Sequence, residues 1–166
     1  MQHVQTRSTT SALVLTAVLI ALATLFTMYT KIPVPGIRGY FNVGDVVIMT
    51  SALLLGRKYG AYIGAIGPAL ADLFLGYAVF VPITFVVKGI EGYLVGTVYN
   101  NKTTTSALAA TILGGIVIVA GYFIAEYFVF DSGVAIASIL TNTIQAVMSV
   151  IVSMILYAIL RKRLGW

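Results

Sequence analysis

Ser106–Phe128 reads SALAATILGGIVIVAGYFIAEYF, 23 residues with a single charge, Glu126, close to the far end. A bilayer core near 30 Å thick is crossed by roughly 20 apolar residues in a helix, so this stretch alone predicts a membrane span. Outward from it, comparable apolar runs cover residues 11–29, 43–55, 60–75, 79–99 and 134–160, divided by polar or Gly/Pro-rich breaks. The expectation is an all-α integral membrane protein of six transmembrane helices, one domain over residues 1–166. The runs 43–55 and 60–75 are short for full spans.

The whole chain agrees with its most apolar stretch. It is 60% hydrophobic and 9% charged, with mean hydropathy +1.01, outside the balance of a soluble domain. Six spans with short connections leave no room for a soluble unit. Run 11–29 follows a weakly basic start as a signal sequence does. It is long and has no small-residue cleavage site, so it reads as a retained helix 1. Cysteine is absent, which removes disulfides and thiolate chemistry together.

The net charge of +5 raises nucleic acid as a partner, but the basic residues stand at segment ends, which is a membrane-topology pattern. Arg7, Arg57, Lys58, Lys102, Arg161, Lys162 and Arg163 fall on one side, seven of the ten Lys and Arg. That bias places both termini in the cytoplasm and the loop from Thr30 to Asn42, with Pro33, Pro35, Gly36 and Gly39, outside. Gly56, Arg57 and Lys58 read as a tight turn between helices 2 and 3. No internal repeat is visible, so an inverted-repeat carrier receives no support.

Ionisable groups inside membrane spans are costly and mark interiors or wet cavities. Asp45, Asp72, Lys88, Glu91 and Glu126 qualify. Lys88 on helix 4, Glu126 on helix 5, and Asn142 with Gln145 on helix 6 fall at comparable depth in the outer half. Asn142 and Gln145 share a helical face, as do Tyr122 and Glu126. This layer suits a small polar, partly aromatic ligand, with Lys88 or Glu126 giving charge-assisted hydrogen bonds and Tyr40, Phe41 or Tyr122 giving aromatic surface. Equally open is a structural reading in which Lys88 pairs with Glu91 or Glu126 and the amides join helices. Asp45 reads as the cap of helix 2, and Asp72 as a partner for Lys31 or Arg38 that holds the loop.

Small residues form a second pattern. Ala17 and Ala21 offer a small face on helix 1 for an external helix, while Gly60, Gly64, Gly67 and Ala71 on helix 3 suit internal packing. Catalytic signals are missing: no HExxH, GxSxG or phosphate-binding GxxxxGK[ST] occurs, no metal-ligand cluster is evident, and the one histidine is His3. An intramembrane enzyme ranks last, and an ATP-driven process needs a partner to hydrolyse the nucleotide.

The stretch Gly39-Tyr40-Phe41-Asn42-Val43-Gly44-Asp45-Val46-Val47-Ile48 and its continuation Leu53-Leu54-Leu55-Gly56-Arg57-Lys58-Tyr59-Gly60-Ala61 resemble the substrate-binding S components of energy-coupling factor (ECF) vitamin transporters. Gly67-Pro68-Ala69-Leu70-Ala71-Asp72-Leu73 and Lys88-Gly89-Ile90-Glu91-Gly92 are similar to the branch with hydroxymethylpyrimidine, pyridoxine and riboflavin S components. The resemblance implies a six-helix fold whose vitamin site opens outward, built by the first loop, with Tyr40, Phe41 and Asn42, and by helices 4 to 6. It also implies docking through Ala17 and Ala21 onto a membrane coupling subunit served by two ATPases, in a prokaryotic cell membrane. The expected ligand is hydroxymethylpyrimidine or pyridoxine, with riboflavin and pantothenate as further candidates. The rival expectation is a stand-alone proton-coupled carrier using Asp45, Glu91 or Glu126.

Overall fold

A computed structural model describes residues 9–33, 40–99 and 103–164. The described chain forms six helices: α1 (Thr9–Tyr29), α2 (Gly44–Leu55), α3 (Arg57–Phe74), α4 (Phe80–Val98), α5 (Thr104–Val129) and α6 (Ser132–Leu164). Two short strands, β1 (Ile32–Pro33) and β2 (Tyr40–Phe41), pair antiparallel between α1 and α2, with Ile32 opposite Phe41 and Pro33 opposite Tyr40. The loop residues Pro35, Gly36, Arg38 and Gly39, together with Arg7, Lys102 and His3, lie outside the described residues.

Local chemistry sets the helix ends. Gly56 adopts φ +88°, a left-handed conformation open to glycine, and turns the chain from α2 into α3 by itself. Arg57 and Lys58 therefore open α3 instead of belonging to the turn, which moves its start three residues ahead of the expected Gly60. α5 begins with a reciprocal capping box between Thr103 and Ser106. α6 carries Arg161, Lys162 and Arg163 within its last turn, where cations complement the helix dipole.

Four helices, α1, α4, α5 and α6, are long and apolar enough to cross a membrane. The six helices expected are present, and the two outside this set, α2 and α3, are the runs the sequence marks as short for full spans. α2 has 12 residues, about 18 Å at 1.5 Å per residue, and α3 includes Arg57, Lys58 and Asp72 within its 18 residues. The distribution of residues is inverted relative to a soluble protein. Val14 and Val18 on α1, Ile116 and Ile124 on α5, and Leu140 and Ile151 on α6 point outward, while charged groups are buried. Lipid is the solvent that suits this surface.

α2 is the hub. Every residue from Gly44 to Leu53 is buried, and α2 touches each of the other five helices. Met49, Ala52 and Leu53 of α2 pack with Val95, Ile118 and Tyr157, while Val47 and Ile48 pack with Ala23 and Ile63. A helix so enclosed need not span the bilayer, because protein replaces lipid around its ends. Its first amide, Gly44, donates to Asn42 Oδ1 at 2.8 Å, and the Val43 amide donates to Thr30 Oγ1 at 3.0 Å.

The first turn of α2 also carries Asp45, which lies in contact with two other helices. Lys88 Nζ of α4 stands 2.5 Å from Asp45 Oδ1 and 3.5 Å from Glu91 Oε2, with Lys88 1% exposed and both carboxylates 0% exposed. Gln145 Nε2 of α6 donates to Asp45 Oδ2 at 2.7 Å. The expected capping role for Asp45 is corrected: it makes no capping bond, and it is the counter-ion of Lys88.

α3 and α4 approach closely because glycines face each other. A Cβ added at Gly64 would collide with the Lys88 carbonyl, and one at Gly92 with the Gly60 carbonyl. The internal-packing reading of the helix 3 glycines holds, and this contact fixes the backbone that carries Lys88. Gly64→Ala and Gly92→Ala are each expected to lower unfolding free energy by about 1–3 kcal/mol, as overpacking does, measured by thermal melting in detergent. Parent-like stability would contradict the close backbone approach. Lys88→Met leaves two buried carboxylates against no cation and should cost about 3–5 kcal/mol, part of which the double variant Asp45→Asn/Lys88→Met regains. Simple addition of the two single losses would show that the ions do not act as a pair.

Candidate functional site

Above the Lys88–Asp45 pair, at the ribbon end of the bundle, five helices and β2 enclose a cavity. The empty space between its walls is about 490 Å³ and continues outside. Its walls are Thr27 from α1, Tyr40 from β2, Asn42 between β2 and α2, Pro68 and Asp72 from α3, and Phe80, Thr84 and Lys88 from α4. Tyr122 and Glu126 from α5 and Ser138, Asn142 and Gln145 from α6 complete them.

The sequence-predicted layer is gathered here, with one exception. Tyr40 of β2 and Asn42 just after it line the cavity, and Phe41 between them is not among the lining residues. Lys88 and Gln145 line the cavity with their polar atoms engaged. Besides Asp45 and Glu91, the Lys88 ammonium lies 5.3 Å from the centre of the Tyr122 ring, within cation–π range. Gln145 Oε1 accepts from the Asn42 amide at 3.0 Å while its Nε2 serves Asp45. Glu126 accepts a bond from the Ser138 hydroxyl and is not a partner of Lys88.

Three buried polar atoms on the walls have no hydrogen-bond partner among the described residues: Thr27 Oγ1, Asp72 Oδ2 and Asn142 Nδ2. In a bundle where most such groups are paired, these are the atoms free to meet a ligand. The hydroxyls of Thr84 and Tyr122 share one bond of 2.9 Å. Thr84 and Ser138 escaped the sequence reading, although Thr84 stands one turn before Lys88 and Ser138 one turn before Asn142. Extending each polar face by a turn finds both.

The ribbon is held down by aromatic and acidic contacts. Tyr40 donates its hydroxyl to Asp72 Oδ1 at 2.6 Å, and its ring meets Tyr77 at 5.0 Å. Burial first, and the Asp72 carboxylate next, push the Tyr40 phenol well above its ordinary range, so it remains a donor. Lys31 lies 4.8 Å from the Tyr77 ring centre and 5.9 Å from that of Tyr40. The expected pairing of Asp72 with Lys31 is thus replaced by Tyr40, and Arg38 lies outside the described residues. The chain Tyr77–Phe80–Phe130 continues the aromatic rim.

α1 divides its small residues between two faces. Ala23 packs where a Cβ on Gly67 would come within 2.7 Å, and the Thr24 hydroxyl reaches the Gly67 carbonyl at 2.9 Å. Ala17 and Ala21 are on the outer face and exposed.

Comparison with known proteins matches this architecture to one family. The sequence model described as ECF-type riboflavin transporter, S component, matches residues 7–162. An uncharacterised protein of Pyrococcus woesei is 41% identical over 86% of this chain and 96% of its own length. The thiamine precursor transporter HmpT of Lactococcus lactis is 29% identical over 89% of this chain and 83% of its own. The crystal structure of a biotin S component from an ECF-type ABC transporter superposes with TM-score 0.58 at 20% identity, covering 90% of this chain and 94% of that one, a likeness of fold. The chain belongs to the S-component family of ECF-type transporters.

Proposed function

We propose that this S component captures a small heteroaromatic vitamin or precursor, hydroxymethylpyrimidine or pyridoxine, in the ribbon-end cavity. It then delivers the ligand to an ATP-driven coupling module. The observation that carries the reading is the set of unpaired buried polar atoms, Thr27 Oγ1, Asp72 Oδ2 and Asn142 Nδ2, converging on a small aromatic-walled space. The relationship to a thiamine precursor transporter supports the pyrimidine. Tyr40, Asn42, Tyr122, Glu126 and Asn142 are the proposed ligand contacts, with Lys88 and Gln145 fixing the floor.

The proposed assembly sets this chain in a prokaryotic cell membrane with both termini in the cytoplasm. It docks on a membrane coupling subunit whose two ATPases hydrolyse the ATP; the chain itself takes no cofactor. Exposed Ala17 and Ala21 supply a flat face on α1 for that contact.

A ligand that binds only the folded state raises stability by RT ln(1 + [L]/Kd), about 2.7 kcal/mol at a hundredfold excess over Kd. The purified chain in detergent should therefore melt several degrees higher with hydroxymethylpyrimidine or pyridoxine. A folded sample that no vitamin stabilises would overturn the capture function. Uptake into vesicles that lack every ATPase, driven by a proton gradient, would favour the stand-alone carrier. Replacing Ala17 and Ala21 with Trp should abolish uptake and co-purification with the coupling subunit while leaving ligand affinity within about twofold, since neither residue lines the cavity. Retained uptake would remove that face from docking.

A further inference from the structure

The cavity can be read for charge as well as for size. Among the described residues, Lys88 is the one cation on its walls, and that cation is already spent. It sits 2.5 Å from Asp45, 3.5 Å from Glu91 and against the Tyr122 ring. Lys31 stands over the rings of Tyr77 and Tyr40 and does not line the cavity. Against this, Asp72 and Glu126 line the walls, and Asp45 and Glu91 stand behind Lys88. Among the described residues, a ligand carboxylate entering here would meet two carboxylates and no free ammonium, in a low-dielectric setting that magnifies the repulsion.

Asp72 is the sharper feature. Its Oδ1 is filled by the Tyr40 hydroxyl, and its Oδ2, in a residue 3% exposed, makes no well-formed hydrogen bond, with the Thr84 hydroxyl as the neighbour that competes with a ligand for it. An acceptor so placed calls for one N–H or O–H from the ligand, and Asn142 Nδ2 offers a donor to a ring nitrogen or hydroxyl. Tyr122 and Phe80 give flat apolar walls for a ring.

We infer that the site selects a neutral or cationic planar nitrogen heterocycle, rejects carboxylate-bearing vitamins, and uses Asp72 Oδ2 to read the ligand's N–H donor. This rests on the capture function proposed above and narrows it. It makes Asp72 a specificity-determining residue in addition to a holder of the ribbon, and it removes pantothenate from the candidates.

The test is calorimetric binding to the purified full chain with hydroxymethylpyrimidine, its 4-oxo analogue, pyridoxine, 4-pyridoxic acid, pantothenate and biotin. The expected result is binding of hydroxymethylpyrimidine or pyridoxine, with every carboxylate weaker by about 100-fold or more. A carboxylate vitamin that binds as tightly overturns the charge selection and leaves the capture function standing. Binding of no compound overturns the capture function itself. In Asp72→Asn, the amino ligand should weaken by about 10- to 100-fold while the 4-oxo analogue is unchanged or improved, because an amide can donate where the carboxylate could only accept. Tyr40→Phe, which frees the ribbon and keeps Oδ2, should shift both ligands alike. Equal losses for both ligands in Asp72→Asn would reduce Asp72 to a support for Tyr40 and overturn its reading role. Should that variant fail to fold, the parent panel still decides the charge selection.

Discussion

The contact between Lys88 and Asp45 is the constraint around which the molecule is arranged. Removing an ammonium and a carboxylate from water costs several kcal/mol per ion, repaid only when the geometry is close and the remaining hydrogen-bonding positions are filled. Here Asp45 has both oxygens occupied, Oδ1 by Lys88 and Oδ2 by Gln145. The two contacts bring α2, α4 and α6 to one point, and Gln145 passes the connection on to the backbone of Asn42. The ribbon, the shortest helix and the two walls opposite are thereby held relative to one another beneath the cavity floor.

That pair needs a backbone placed to within a fraction of an ångström, and the α3–α4 contact supplies it. A helix can approach another this closely only where no Cβ stands between the two backbones, and Gly64 against the Lys88 carbonyl meets that requirement. The same logic explains the length of α2. Surrounded by five helices, it buries a continuous run from Gly44 to Leu53, so its 12 residues are set by the internal space and not by the bilayer. Its apolar neighbours turn outward, and the charges that lipid would reject are gathered inside.

Much of this was legible in the sequence because membranes impose simple periods. Six helices, their order and the polar layer of Lys88, Tyr122, Glu126, Asn142 and Gln145 follow from apolar runs and residue type. What escaped depended on distance across the fold. Strands of two residues each leave no period to detect, so which of Tyr40, Phe41 and Asn42 reach the cavity wall was invisible. Asp45 looked like a cap because a carboxylate in a first turn usually is one; its partner is 43 positions away on α4. Asp72 was expected to pair with Lys31 or Arg38, and among the described residues its bond comes from a tyrosine hydroxyl.

Asn142 and Gln145 make the remaining distinction concrete. Both are amides, both lie on the inner face of α6, and they are less than one turn apart, so residue type and periodicity treat them alike. What separates them is where α2 begins. With its first turn at Gly44, Asp45 comes within reach of the longer Gln145 side chain, whose two polar atoms are then consumed by Asp45 and Asn42. Asn142 Nδ2 is left unpaired on the cavity wall. Bonding state, more than residue identity, therefore divides the walls into groups that hold the bundle together and groups left for a ligand. The same division applies to Lys88 and Asp72 on the cavity walls: Lys88 belongs to the bundle, and one oxygen of Asp72 does not. A site whose cation is structural and whose free acceptor is a carboxylate oxygen is complementary to a donor, and its polarity is fixed by the same contacts that fold it.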